Sequence, residues 1–174
     1  IYKAQIGVVP VSTNDEFMQV AGGAKLGEED ATRTIYRLTS DLDFTGVKWS
    51  SGTNPFTGYL NGAGHTVQNV TISQAVDKTG MFSKVAGGTI ANIKFENISI
   101  SNSDKKQTGI VAVTEGGYFH NISIKNIKVQ GGERTGGLIG QAFEGNVNTE
   151  ISQVSIVNDN DTDYYILCLL YTSD

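Results

Sequence analysis

An all-β solenoid of the parallel β-helix type is the fold this sequence predicts, and three observations predict it. First, an apolar–x–Asn–apolar–x–apolar pattern recurs. Its copies are Val67-Gln68-Asn69-Val70-Thr71-Ile72, Ile90-Ala91-Asn92-Ile93-Lys94-Phe95, Phe119-His120-Asn121-Ile122-Ser123-Ile124 and a weaker Ile151-Ser152-Gln153-Val154-Ser155-Ile156. They return at unequal intervals inside the roughly 20–50-residue period of solenoids. Second, the apolar parity slips by one residue at each Asn. A strand alternates in and out with a period of two, so the chain must turn a corner there if both flanks face one core. Asn tolerates the left-handed backbone that such corners need. Third, each unit carries a second corner and a Gly-led strand. Phe95-Glu96-Asn97-Ile98-Ser99-Ile100 matches Ile124-Lys125-Asn126-Ile127-Lys128-Val129, and Gly80-Met81-Phe82 is followed by Gly109-Ile110-Val111 and Gly137-Leu138-Ile139-Gly140.

Three short strands and three bends make one coil, which buries its inward residues against itself and its neighbours. The crossover rule makes the coil right-handed. On this reading Asn69, Asn92 and Asn121 stand in register and stack in the interior, their amides bonded up and down the column. A leucine-rich repeat would also fit Ile90, Ile93, Phe95 and Ile100. Its Asn position, however, holds Ile98 here and Ile127 in the next copy, and no helix pattern follows.

In chain order, the first residues read as a strand from Ile1 to Ile6, and residues 1–12 form a lead-in strand or linker. Thr13-Asn14-Asp15-Glu16 is a capping box. A helix from about Asn14 to Ala24 follows, with Phe17, Met18, Val20, Ala21 and Ala24 as its apolar stripe and Gly22-Gly23 limiting its length. Its expected role is to cover the open first coil. Thr34 to Leu38 reads as a strand leading into Asp41-Leu42-Asp43-Phe44. The repeat domain runs over residues 13–167. The last seven residues, Cys168-Leu169-Leu170-Tyr171-Thr172-Ser173-Asp174, resemble the translation of a transposon adapter used in preparing sequencing libraries. They are expected to be a read-through artefact on a metagenomic fragment, truncated within the repeat domain, and they hold the only cysteine.

Composition agrees with this architecture. The chain of 174 residues has 21 Gly and only 2 Pro, which suits many bends and uninterrupted strands. A formal net charge of −5 argues against nucleic acid as a partner. No run of about 18 apolar residues is present to span a membrane.

Two further stretches carry a resemblance. Tyr36-Arg37-Leu38-Thr39-Ser40-Asp41-Leu42-Asp43-Phe44, with Phe56-Thr57-Gly58-Tyr59-Leu60-Asn61-Gly62-Ala63-Gly64-His65-Thr66-Val67, resembles segments of bacterial surface β-helices. Gly137-Leu138-Ile139-Gly140 resembles the GLUG motif, and Gly80-Met81-Phe82-Ser83 and Gly109-Ile110-Val111-Ala112 resemble degenerate copies. Such repeats occur in adhesin-like proteins and in the non-catalytic N-terminal region of zinc metalloproteases of the IgA1-protease type. The resemblance implies a secreted or surface-anchored repeat module, adhesive or stalk-like. A host or matrix protein, or a glycan, would be its partner. The alternative is the substrate-binding part of a carbohydrate-active β-helix enzyme.

The residues themselves assemble no catalytic or cofactor motif, and none is expected to bind metal. H-E-x-x-H needs two His on one helix turn, and the only two are His65 and His120. Candidate acids for sugar chemistry are Asp41, Asp43, Glu96, Glu115 and Glu133, with Arg134 near the last. They fall in different parts of the repeat. Asn158-Asp159-Asn160-Asp161-Thr162-Asp163 looks like the start of a calcium loop but lacks the Gly and distal Glu. Sequons stand at Asn69, Asn97, Asn121 and Asn160; the first three fall on corner Asn residues and read as corner chemistry, because an inward stack leaves no room for a glycan. The expected structural residues are therefore Asn69, Asn92, Asn97, Asn121 and Asn126 at corners, with Gly80, Gly109, Gly137, Leu138, Ile139 and Gly140 in the Gly-led strand. Trp49, Phe56 and Tyr59 are expected as core or loop anchors rather than as a sugar platform.

Overall fold

The computed structural model describes residues 6–27, 33–50, 52–103, 106–143, 149–158 and 170–172. Every strand pairing among them is parallel, and the strands wind into a β-solenoid of about five turns. At the base, β1 (Ile6–Val11) precedes the one helix, α1 (Asn14–Ala21). Next come β2 (Arg33–Leu38) and β3 (Leu42–Asp43). The following coil holds β4 (Tyr59–Asn61), β5 (Thr66–Gln68), β6 (Thr71–Gln74) and β7 (Phe82–Ala86). Above it the same path is walked by β8 (Thr89–Asn102) with β9 (Val111–Glu115), then by β10 (Tyr118–Gln130) with β11 (Ile139–Phe143). The top carries β12 (Glu150–Val157) and β13 (Leu170–Thr172).

One sheet runs β1-β2-β4-β8-β10-β12, and the other stacks β7, β9, β11 and β13. β1, inside the segment expected to lead in, pairs with β2 from Ile6↔Arg33 to Val11↔Leu38. Pro10 offers no N–H on that outermost strand, which blunts its edge.

Parity slips explain why β8 and β10 are long yet bent. Ile90, Ile93, Phe95, Ile98 and Ile100 pair with Phe119, Ile122, Ile124, Ile127 and Val129, and all ten are buried. Keeping both flanks of each Asn inward demands a pivot, and the pivots have left-handed backbones: φ is 54° at Asn92 and Asn97, 52° at Asn121 and 55° at Asn126. A third column of pivots, Lys78, Gln107 and Arg134, turns the chain toward the Gly-led strand.

There Gly80 and Gly109 admit the backbone of the next coil. A Cβ on Gly80 would stand 2.2 Å from the Gly109 carbonyl oxygen, and one on Gly109 would stand 2.8 Å from that of Gly136. Leu138 and Ile139 of the Gly137-to-Gly140 segment are buried in the core.

The helix plugs the base. Thr13 accepts from the Glu16 N–H, and the Glu16 carboxylate accepts from the N–H of Thr13 in return. It also accepts from the Ser12 N–H, the main cause of its lowered pKa. Phe17 is fully buried, with its ring edge-on to Phe44, Trp49 and Phe82 at 6.1–6.3 Å. The helix stops at Ala21, short of the expected Ala24. Gly22 caps it, and a Cβ on Gly22 would stand 2.2 Å from the Gly52 nitrogen. No helix among the described residues is long and apolar enough to cross a membrane.

Candidate functional site

Two columns of corner amides run up the outside of the solenoid. In the first, Asn121 Nδ2 donates to Asn92 Oδ1 (2.8 Å), and Asn92 Nδ2 donates to Asn61 Oδ1 (3.2 Å). In the second, Asn126 donates to Asn97 (3.2 Å), Asn97 to Asn69 (3.1 Å) and Asn69 to the Asp43 carboxylate (3.0 Å). Every amide in the second column gives its proton downward, toward a group that can only accept when ionised.

Both columns differ from the sequence expectation. The stack lies outside: Asn97 and Asn121 are exposed, and Asn69, Asn92 and Asn126 are half-buried. The cause is geometric. The residues two before and one after each pivot face the core, as Phe95 and Ile98 do around Asn97, so the pivot and the residue before it both lie on the outer side of the bend. The register also differs. Asn69 does not align with Asn92 and Asn121, because β5 lies against the middle of β8, between its two corners, with Val67↔Phe95 and Gln68↔Glu96. Asn61 takes the first corner instead, and the Gly62-Ala63-Gly64 turn bulges out before β5 begins. A Cβ on Gly62 would stand 2.5 Å from the Asn92 carbonyl oxygen, which is why this turn starts on glycine. The described sequons, at Asn69, Asn97 and Asn121, consequently lie on the outer surface, with each amide nitrogen donating in a ladder. Gln153 repeats the pivot backbone (φ 53°), and Asn158 bonds the Ile127 N–H at 2.9 Å.

The carboxylates are scattered, each with local partners. Donation from Asn69 and from Thr45 pulls the Asp43 pKa from its ordinary 3.8 down to about 2. Asp41 accepts from the Thr66 N–H at 2.8 Å and faces His65 Nδ1 at 3.1 Å, and these two lower its pKa. Glu115 pairs with Lys84 (2.9 Å), Glu133 with Lys106 (3.5 Å) and Glu96 with Lys125 (3.9 Å). Each of these links two successive coils. His120 is half-buried, as is Arg134. Among the described residues, no three His, Cys, Asp or Glu are grouped as metal ligands. Asp159–Asp163 lies outside the described residues.

Trp49 and Phe56 are buried in the basal aromatic cluster. Tyr59 is not; it stands half-exposed in a groove of about 480 Å³ with Ile35, Gly58, Gly87, Thr89 and Tyr118. Sequence reasoning missed Asn61, Tyr118 and the anchoring role of Asp43. The signal for Asn61 was an Asn at the end of an apolar strand, hidden because the Gly62-Ala63-Gly64 turn follows it, whereas Asn92 and Asn121 pivot directly into the next stretch of the same strand.

No protein-family model matches the chain, and no solved structure matches it. It is similar to Halomucin of Haloquadratum walsbyi (strain DSM 16790 / HBSQ001), with 27% identity over 139 residues. That alignment covers 70% of this chain and only 2% of Halomucin's length.

Proposed function

We propose that the chain is a non-catalytic repeat module of an extracellular surface or secreted protein, serving as an adhesive surface or a stalk. The observation that carries this reading is the coil-on-coil construction of the exterior. The two Asn ladders and the three Lys–Glu pairs all join one coil to the next. They give the exterior polar links from coil to coil, and Glu96, Glu115 and Glu133, which sugar chemistry would have to bring together, pair with separate lysines instead. Similarity to a protein named as a mucin supports an extracellular setting, and the GLUG-like Gly137-Leu138-Ile139-Gly140 supports an adhesin-type parent.

The test has two parts. Beads coated with the chain should adhere to extracellular matrix or to cell-surface preparations above an albumin control, or the chain should hold a fused domain at a fixed distance in solution scattering. Incubation with acidic and neutral polysaccharides should release no new reducing or unsaturated ends. Turnover that disappears with Glu96→Gln, Glu115→Gln or Glu133→Gln would reverse the reading.

A further inference from the structure

We propose that the groove beside β4 binds an uncharged glycan chain, seated across Tyr59 and Tyr118. The inference rests on the module reading above and names the class of its partner. Ile35, Tyr59, Thr89 and Tyr118 stand on successive rungs of one column. Rungs are about 4.8 Å apart, so the two tyrosines lie about 9.6 Å apart with Thr89 between them. That separation suits two sugar residues of an extended chain.

The lining states the ligand's chemistry. None of the residues lining the groove is charged, and the nearest charge along the column, exposed Glu150 on the rung beyond Tyr118, would repel an anionic ligand. Two half-exposed tyrosines in one groove supply aromatic surface of the kind that packs on the C–H side of a pyranose. Thr34, Thr57 and Thr89 add hydroxyls that both donate and accept. Neither tyrosine hydroxyl has a hydrogen-bond partner among the described residues. Gly58 and Gly87 contribute no side chain to the wall, and a Cβ on Gly87 would meet nothing within 4 Å, so that side is open. A purely apolar partner would leave five hydroxyls in the groove unsatisfied, which disfavours it.

Calorimetric titration of the full chain with cellohexaose, chitohexaose and mannohexaose tests this, with polygalacturonate and heparin as charged comparisons. At least one neutral hexamer should bind. Tyr59→Ala and Tyr118→Ala should each weaken it about tenfold, and Tyr118→Phe should weaken it less. Thr89→Arg, which fills the floor between the rings, should abolish binding with the thermal transition intact. That variant decides the matter if an alanine variant fails to fold. Any of these results overturns the proposal: no neutral hexamer bound, binding indifferent to both tyrosines and to Thr89→Arg, or preference for the charged polymers. Self-association that Thr89→Arg abolishes would assign the groove to a second copy instead, and it too overturns the proposal. If the beads still adhere while every neutral hexamer fails, the glycan is wrong and the module reading stands.

Discussion

Within β8 and β10, residues one position apart belong to two different columns. The inner column stacks Phe95 on Ile124 and Ile98 on Ile127, all buried. The outer column stacks Asn97 with Asn126, held by single amide bonds at the surface. Both repeat from coil to coil, but different physics maintains them. Inward positions demand only bulk and apolarity, so Phe and Ile exchange freely between coils. Outer pivots demand a left-handed backbone and a side chain that donates and accepts at once, so Asn recurs there. The inner column supplies most of the stability; the outer column fixes the register in which the coils stack.

Breaking the inner column should therefore have the largest effect. Phe95→Ala removes a buried ring in the middle of the stack and should cost about 3–5 kcal/mol in denaturant unfolding. A loss near that of a surface substitution would mean that the coils are not packed as described.

The outer column should respond less, and in two separable parts. Asn97→Ala loses a partly solvated ladder bond and places a Cβ-bearing residue without a polar side chain in left-handed backbone. Together these should cost about 1–2 kcal/mol. Asn97→Gly loses the bond but accepts the backbone, so it should be milder than alanine. Equal losses for Gly and Ala would show that backbone strain is not what selects Asn at the pivot.

Acid should loosen the base of the second ladder alone. The folded-state pKa of Asp43 lies below its ordinary 3.8, at about 2. Its contribution is therefore present above the ordinary value and fades as pH falls from near 4 through about 2. Asp43→Asn should remove the Asp43 share of the acid loss and leave those of Glu16 and Asp41, and amide exchange near Asn69 should rise on acidification while that near Asn61 does not. Identical behaviour at both ladder bases would remove the distinction between them.

Much of this was legible in the sequence, and the failures have definite causes. The solenoid followed from parity slips at Asn92, Asn97, Asn121 and Asn126, because a strand has only two faces. The helix followed from Thr13 and Glu16, a purely local signal. The direction in which the pivots point was misread, because buried amide ladders were assumed where left-handed geometry turns the side chain outward. Asn69 was assigned to the wrong corner because its six-residue pattern is the same at both. Only long-range pairing distinguishes the corners, and the turn from Gly62 to His65 displaces that pairing. Nothing local marks Tyr59 and Tyr118 as neighbours, since they come from different coils with Thr89 between them.

Register is the central claim, and disulfide trapping tests it most directly. In a Cys168→Ser background, Thr71→Cys with Ser99→Cys joins residues paired across β6 and β8. Their Cα atoms lie about 4.8 Å apart, inside the range of about 4.4–6.8 Å that a disulfide spans. Thr71→Cys with Lys94→Cys instead joins the positions that a simple alignment of the repeats equates, although Lys94 pairs with Thr66 on the far side of the second corner. Mild oxidation followed by mass analysis should show an intramolecular bond in the first pair and free thiols in the second. A bond in the second pair and none in the first would contradict the account, because Asn69 would then belong to the first ladder.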